Sequence, residues 1–260
     1  MKLKHQKGKE RRRGIYILPN IFTSLNLFFG FYGIISAIRG KFEMAAVLII
    51  IAVVFDILDG KIARATRTTS KFGMEYDSLA DLVSFGMAPC LMMYLWALQP
   101  LGRMGWLAAF LYTVCGALRL ARFNTQSGKV SSDYFTGLPI PAGAGMSATI
   151  VLFCHKIGMD GGPYPLLILV ILYLLSFLMV SSVPYHSFKK PELFRKMNFN
   201  GLVAVVLFLI FIAAQPAIAL FIFGVCYVTS GPLILLRKKR EIGEADPVGS
   251  EQDKSGSDLV

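Results

Sequence analysis

Apolar segments long enough to cross a bilayer run through most of this chain, and they restrict its fold more than any other feature. A spanning α-helix needs about 20 mostly apolar residues, and soluble domains rarely contain repeated runs of that length. Of the 260 residues, 55% are hydrophobic. We therefore predict an all-α integral membrane protein, a bundle of about eight transmembrane helices. The predicted spans are residues 17–38, 42–60, 79–98, 104–123, 138–157, 163–183, 199–215 and 216–236.

Basic residues alternate between the two ends of these spans. Clusters of Lys and Arg lie in the N-terminal arm, in every second connection and directly after the last span, whereas the other connections hold few. The positive-inside rule therefore predicts that both termini face the cytoplasm, with the protein in the inner membrane. The predicted layout is a basic cytoplasmic arm at 1–14, a transmembrane domain at 15–236 and a disordered cytoplasmic tail at 237–260.

The net charge of +11 indicates that the partners of this chain are negatively charged. A basic protein often binds nucleic acid or anionic lipid. Because the basic residues lie between apolar spans, we expect membrane lipids as partners and no nucleic acid. The four cysteines stand singly within apolar stretches, without metal-ligand spacing, and we interpret them as small apolar residues.

Four aspartates mark the end of the second span and the approach to the third: Asp56, Asp59, Asp77 and Asp81. The first two are three residues apart and the last two are four apart, so each pair shares one face of a helix. Ionisable side chains inside a span are costly and usually functional. If the two helix ends pack together, the carboxylates converge. Two hard divalent cations, Mg²⁺ or Mn²⁺, would then offset their repulsion.

Residues suited to phosphate binding surround these aspartates. Gly60 removes side-chain bulk where a diphosphate could approach the backbone, and Arg64 offers a fork of donors to phosphate oxygens. Ser70, in the connection, adds a hydroxyl donor. Spacing alone leaves two other interpretations open. One is a structural salt-bridge network between the aspartates and neighbouring Lys and Arg residues, and the other is a cation-transport site.

The spacing of these residues resembles the signature of the CDP-alcohol phosphotransferases. That signature is Asp, two residues, Asp-Gly, two residues, Ala-Arg, eight residues, Gly, three residues, Asp, three residues, Asp. The residues that match it are Asp56, Asp59, Gly60, Ala63, Arg64, Gly73, Asp77 and Asp81. The resemblance implies a six-helix core, here with two further helices, a homodimer, and transfer of a phosphatidyl group from CDP-diacylglycerol to an alcohol.

The resemblance also implies a role for each matched residue. Asp56 and Asp77 would bridge two metal ions. Asp59 would complete one metal site and Asp81 the other, and Asp81 would also be the catalytic general base. The residues expected to bind CDP-diacylglycerol are Asn20, Thr23, Gly60, Arg64 and Ser70. The implied reaction is a single in-line displacement, in which the alcohol attacks the phosphorus and CMP leaves.

Three further stretches, 18–26, 117–124 and 135–142, resemble bacterial membrane-embedded members of the family that use L-serine as the acceptor. Serine is a zwitterion, so its carboxylate needs a cation and its ammonium group needs an acceptor. Candidate serine-binding residues at the end of the fourth span are Arg119, Arg122 and Asn124. The arginines would equally suit the phosphate of glycerol phosphate or inositol phosphate, or anionic lipid headgroups, so these alternatives stay open.

Overall fold

The computed structural model describes residues 3–66, 70–126, 134–159, 164–186 and 213–245, together with 203 and 210. Helices dominate this part of the chain. They are α1 (Leu3–Ile38), α2 (Phe42–Thr66), α3 (Lys71–Asp81), α4 (Ala88–Met93), α5 (Arg103–Gln126), α6 (Ile140–Lys156), α7 (Pro165–Val180) and α8 (Pro216–Ala245). Two π-helical turns, Leu82–Met87 and Tyr94–Leu98, and a 3₁₀ turn, Gln99–Leu101, continue α3 and α4 as one helical segment.

Four of the described helical segments are long and apolar enough to cross a membrane. These segments are Pro19–Ile38, Lys71–Leu101, Arg103–Thr125 and Pro216–Leu235. Helix α7 is apolar but shorter. The structure therefore agrees with the prediction of a mainly helical membrane protein. The predicted seventh span, 199–215, lies almost wholly outside the described residues.

The third span begins earlier than the sequence predicts. Its helix starts at Lys71 rather than at 79, because the Ser70 side chain caps it by accepting a hydrogen bond from the backbone N–H of Gly73 at 2.9 Å. Helices α2 and α8 end at Thr66 and Ala245, beyond the predicted ends of their spans. Hydropathy marks the part of a helix that lipid can surround, whereas caps and polar turns determine where the helix ends.

A short antiparallel strand pair, which the sequence did not predict, joins the segments before α6 and after α7. Strand β1 (Tyr134–Thr136) pairs with β2 (Pro184–His186). After β1 the chain turns at Gly137, whose φ of 81° lies in the region that favours glycine. In β2, Tyr185 is fully buried and donates its hydroxyl hydrogen bond to the backbone oxygen of Val228 at 3.1 Å. The pair therefore anchors α8 to the ends of its neighbours.

Helix α1 packs along α2 and also contacts α3 and the π-turn that follows it. The closest approach is at Gly30, where a Cβ atom would lie 2.6 Å from the Cα of Ser84 in that π-turn. One helical turn before Gly30 in α1, the backbone oxygen of Asn26 accepts a hydrogen bond from the Ser84 hydroxyl at 3.0 Å. Together these contacts set the distance between α1 and the third span.

We expect Gly30→Ala to destabilise the protein by about 1–3 kcal/mol, because the added methyl group would force α1 away from the backbone at Ser84. Thermal unfolding of the detergent-solubilised protein measures the effect. Gly145→Ala is the matched control, since a Cβ at Gly145 of α6 would meet nothing within 4 Å. Equal melting temperatures for the two variants would contradict the close packing of α1 on the π-turn.

Candidate functional site

Carboxylates of α2 and α3 meet at one point of the bundle. Asp56, Asp59 and Asp77 each offer a carboxylate oxygen, and these oxygens all lie within 4.8 Å of one another. Asp59 is buried, with 4% of its surface exposed. Two of these residues come from α2 and one from α3, so the packing of the two helices brings together residues that the sequence spacing predicted to converge.

Asp81 lies one helical turn beyond Asp77 and belongs to the same group of charges. It is 7% exposed, and the other three aspartates, Asp56, Asp59 and Asp77, are close enough to repel it. Its Oδ1 accepts a hydrogen bond from Asn26 Nδ2 of α1 at 3.0 Å. Asp81 is therefore oriented by a third helix.

One helical turn before Asn26 in α1, the side chain of Thr23 also contacts an aspartate of the site. The Thr23 hydroxyl lies 3.0 Å from Asp59 Oδ2 and 3.2 Å from the backbone oxygen of Pro19, and it can donate to either. Thr23 and Asn26 are three residues apart, so they share one face of α1. That face gives one donor to a carboxylate of α2 and one to a carboxylate of α3.

The basic side chains that the structure describes do not neutralise this cluster by direct ion pairs. In the described part of the chain, no Lys or Arg comes within ion-pairing distance of the four aspartates. Arg64 interacts with Asp56 and Asp59 at longer range, and its guanidinium lies beside Gly60, where a Cβ would stand 3.6 Å from both terminal nitrogens. The described residues therefore do not support the salt-bridge network that the sequence left open.

The donor set fits a hard divalent cation. It consists of carboxylate oxygens alone, the ligands that Mg²⁺, Mn²⁺ and Ca²⁺ prefer. Asp77 Oδ1 is buried and has no hydrogen-bond partner among the described residues. A buried carboxylate oxygen without a partner is costly, and a bound cation would satisfy it.

Ser70 and Asn20 flank the first turn of α3. Ser70 caps the helix, a structural task in addition to the phosphate contact that the sequence suggested. Asn20 Oδ1 lies 3.5 Å from the position that a Cβ of Gly73 would occupy. Gly73 therefore lets α1 approach the start of α3 closely.

The three residues predicted to bind the acceptor alcohol have different surroundings. Arg122 Nη1 donates to a backbone oxygen at the end of α7 at 3.3 Å. Asn124 Nδ2 donates to Ser78 Oγ at 3.0 Å. Arg119, by contrast, interacts electrostatically with Asp81, and its buried Nε has no hydrogen-bond partner within the described ranges. Arg119 therefore interacts with Asp81 only at longer range, whereas Arg122 and Asn124 bond to neighbouring helices.

The sequence analysis did not single out Asn26 as a site residue. The side chain is fully buried and contacts Asp81 directly. The signal that could have identified it is a side-chain amide near the middle of an apolar span, where polar groups usually have a partner or a function.

Known proteins of similar sequence belong to a family that fits this carboxylate site. The chain matches the CDP-alcohol phosphatidyltransferase family over residues 16–183. It is 39% identical over 217 residues to the CDP-diacylglycerol–serine O-phosphatidyltransferase of Helicobacter pylori, an alignment covering 84% of this chain and 90% of that protein. The protein of the same name from Bacillus subtilis is 36% identical over 173 residues, or 66% of this chain and 92% of the relative.

An archaeal relative extends the comparison. The archaetidylserine synthase of Methanothermobacter thermautotrophicus is 38% identical over 170 residues, which cover 65% of this chain and 69% of that protein. The family match includes all four aspartates of the site and spans more than half of the chain. The chain therefore belongs to the CDP-alcohol phosphatidyltransferase family and is a transferase.

Proposed function

We propose that this chain is a CDP-diacylglycerol–serine O-phosphatidyltransferase, which moves the phosphatidyl group of CDP-diacylglycerol to the hydroxyl of L-serine and releases CMP. The observation that carries the proposal is the convergence of carboxylates from α2 and α3 in a member of this family. Serine is the proposed acceptor because the similar proteins from Helicobacter pylori and Bacillus subtilis are named for it.

The proposed cofactors are two divalent cations, Mg²⁺ or Mn²⁺. Asp56 and Asp77 would contribute to both metal sites, Asp59 to one and Asp81 to the other. When bound, the ions would neutralise the diphosphate of the donor and the charge that develops on the departing CMP. The unpartnered Asp77 Oδ1 and the all-carboxylate donor set support this assignment.

Residues beside the aspartates are proposed to bind CDP-diacylglycerol. They are Asn20, Thr23, Gly60, Arg64 and Ser70. The Arg64 guanidinium beside Gly60 favours a diphosphate there, because no side chain at Gly60 would block its approach. Thr23 contacts Asp59, so it would lie between the proposed CDP-diacylglycerol site and the carboxylates.

In the proposed reaction, Asp81 is the general base. The serine hydroxyl gives its proton to Asp81 while its oxygen attacks the phosphorus that bears the diacylglycerol. The new oxygen–phosphorus bond forms as the bond from that phosphorus to the CMP oxygen breaks. Arg119 would pair with the serine carboxylate, since a guanidinium binds a carboxylate through two parallel hydrogen bonds. Arg122 and Asn124 would support the acceptor site from the surrounding helices.

The proposal includes a layout in the membrane. Residues 15–236 would form eight transmembrane helices, six in the family core and two more, within a homodimer. The arm at 1–14 and the tail at 237–260 would lie in the cytoplasm, and the site would face the cytoplasmic side of the inner membrane. The alternation of basic clusters supports this orientation, and water-soluble serine and CMP would exchange directly with the cytoplasm.

The alternative within the same family is a phosphatidylglycerophosphate or phosphatidylinositol phosphate synthase, whose acceptor alcohol carries a phosphate. The names of the similar proteins favour serine over these acceptors. A cation transporter, the remaining alternative from the sequence, finds no support in the family match.

We expect purified protein with Mg²⁺ or Mn²⁺ to release CMP from CDP-diacylglycerol when L-serine is added. The measurement is CMP release across a panel of serine, glycerol 3-phosphate and inositol 1-phosphate, each with and without EDTA. Release with glycerol 3-phosphate but not with serine would overturn the proposed acceptor and leave the family unchanged.

We expect Asp81→Asn to lower kcat by at least about 100-fold, because the amide cannot take the serine proton. The affinity for CDP-diacylglycerol should change less than it does in Asp56→Asn, since Asp56 is proposed to hold both cations. Donor binding and single-turnover CMP release measure the two effects separately. Equal losses of donor affinity in the two variants would identify Asp81 as chiefly a metal ligand.

We expect Asp77→Asn to raise the melting temperature in EDTA, because one of three mutually repelling carboxylates is removed. The same variant should lose most of the stabilisation that Mn²⁺ gives the wild type. Glu43→Gln, an exposed acidic residue that pairs with His155, is the control and should keep the Mn²⁺ response. A normal Mn²⁺ response in Asp77→Asn would contradict the proposed metal site.

A further inference from the structure

Four buried side-chain atoms in the described part of the chain have no hydrogen-bond partner, and three of them belong to residues that interact with Asp81. Asn26, which offers Oδ1, bonds Asp81 directly, whereas Asp77 and Arg119, which offer Oδ1 and Nε, interact with it electrostatically. The fourth atom is the hydroxyl oxygen of Tyr112. Folded proteins satisfy nearly all buried polar atoms, so three such atoms near one carboxylate indicate a site for a polar molecule. The proposed cations explain Asp77, and the acceptor carboxylate explains Arg119. Asn26 Oδ1 remains unexplained.

The orientation of the Asn26 amide follows from its neighbours. The side chain is fully buried, and its Nδ2 donates to Asp81 Oδ1 at 3.0 Å. This orientation suits a general base, because a carboxylate that is ready to take a proton accepts the N–H hydrogen bond and leaves the amide oxygen directed elsewhere. The backbone oxygen of Asn26 is held in turn by the Ser84 hydroxyl. Oδ1 therefore has a fixed position next to the proposed general base.

This oxygen discriminates between classes of acceptor alcohol. A buried amide oxygen needs a donor, and leaving it unpaired costs free energy. The ammonium group of an amino alcohol supplies such a donor close to the reacting hydroxyl. A phosphate group at the same place would set oxygen against oxygen and would also repel Asp81.

We infer that Asn26 determines acceptor specificity: its Oδ1 accepts a hydrogen bond from the ammonium group of an amino alcohol whose hydroxyl lies at Asp81. The inference rests on the proposed function, because it concerns the acceptor of that reaction. Arg119 and Asn26 then complement the two charges of a zwitterionic acceptor, while the Asn26 N–H keeps the general base in place.

The test compares L-serine with 3-hydroxypropionate, which is serine without its amino group. In Asn26→Ala, the KM for serine should rise about 10- to 100-fold, the effect of losing a hydrogen bond to a charged group. The inhibition constant of 3-hydroxypropionate against serine turnover should change by less than about threefold, because this analogue has no ammonium group. Asn26→Ser, a smaller change, should likewise raise the KM for serine and leave the inhibition constant of 3-hydroxypropionate nearly unchanged.

Binding of the acceptor, measured without turnover, gives a second test. Isothermal titration of full-length protein with each acceptor, in the absence of CDP-diacylglycerol, should show the same selective loss of serine affinity. Ser176→Ala removes a buried hydroxyl on α7 that bonds only its own helix among the described contacts, and should leave the ratio of the two affinities unchanged. Equal losses for both acceptors, or a fall in kcat alone, would reduce Asn26 to a positioning residue and overturn the inference.

The wild type separates this inference from the proposed function. Activity with phosphorylated alcohols but not with serine would overturn both. Activity with serine, combined with an unchanged serine KM and serine affinity in the Asn26 variants, would overturn the inference about Asn26 and leave the proposed function intact.

Discussion

Mutual repulsion among the aspartates of α2 and α3 is the constraint on which the rest of the structure depends. The oxygens of Asp56, Asp59 and Asp77 lie within 4.8 Å of one another, and two unit charges at that limit repel by about 3 kcal/mol at an effective dielectric constant of about 20. Several such pairs would cost a large fraction of the stability of a typical domain. With the carboxylates ionised, the arrangement therefore needs partners for them, which α1 supplies in part and the proposed cations would complete.

Helix α1 holds the two carboxylate helices in register through one face. Thr23, Asn26 and Gly30 follow one another at spacings of three and four residues, and they contact Asp59, Asp81 and Ser84 respectively. The third span departs from α-helical geometry directly after Asp81, in the π-turn that contains Ser84. Such turns occur often at functional sites. Here the turn places the Ser84 hydroxyl against the backbone of Asn26, the residue whose side chain bonds Asp81, the proposed general base.

Local spacing explains what the sequence could predict. The apolar segments predicted a helical membrane protein, and the three- and four-residue separations of the aspartates predicted that each pair shares a helix face. The remaining features depend on contacts between distant segments. Asn26 and Asp81 are 55 residues apart, and the β1–β2 pair joins segments about 50 residues apart. Arg119 and Arg122 share a helix face, yet their partners differ. Arg119 interacts electrostatically with Tyr227 of α8 and Asp81 of α3, whereas Arg122 bonds a backbone oxygen of α7.

The central claim is that carboxylates from two neighbouring helices bind a pair of divalent cations. Anomalous X-ray diffraction from crystals soaked in Mn²⁺ tests it most directly. The prediction is two manganese peaks about 3.5–4 Å apart, the usual separation in two-metal sites, between Asp56, Asp59, Asp77 and Asp81. A map without manganese at these residues, with the carboxylates instead paired to Lys or Arg side chains, would contradict the claim.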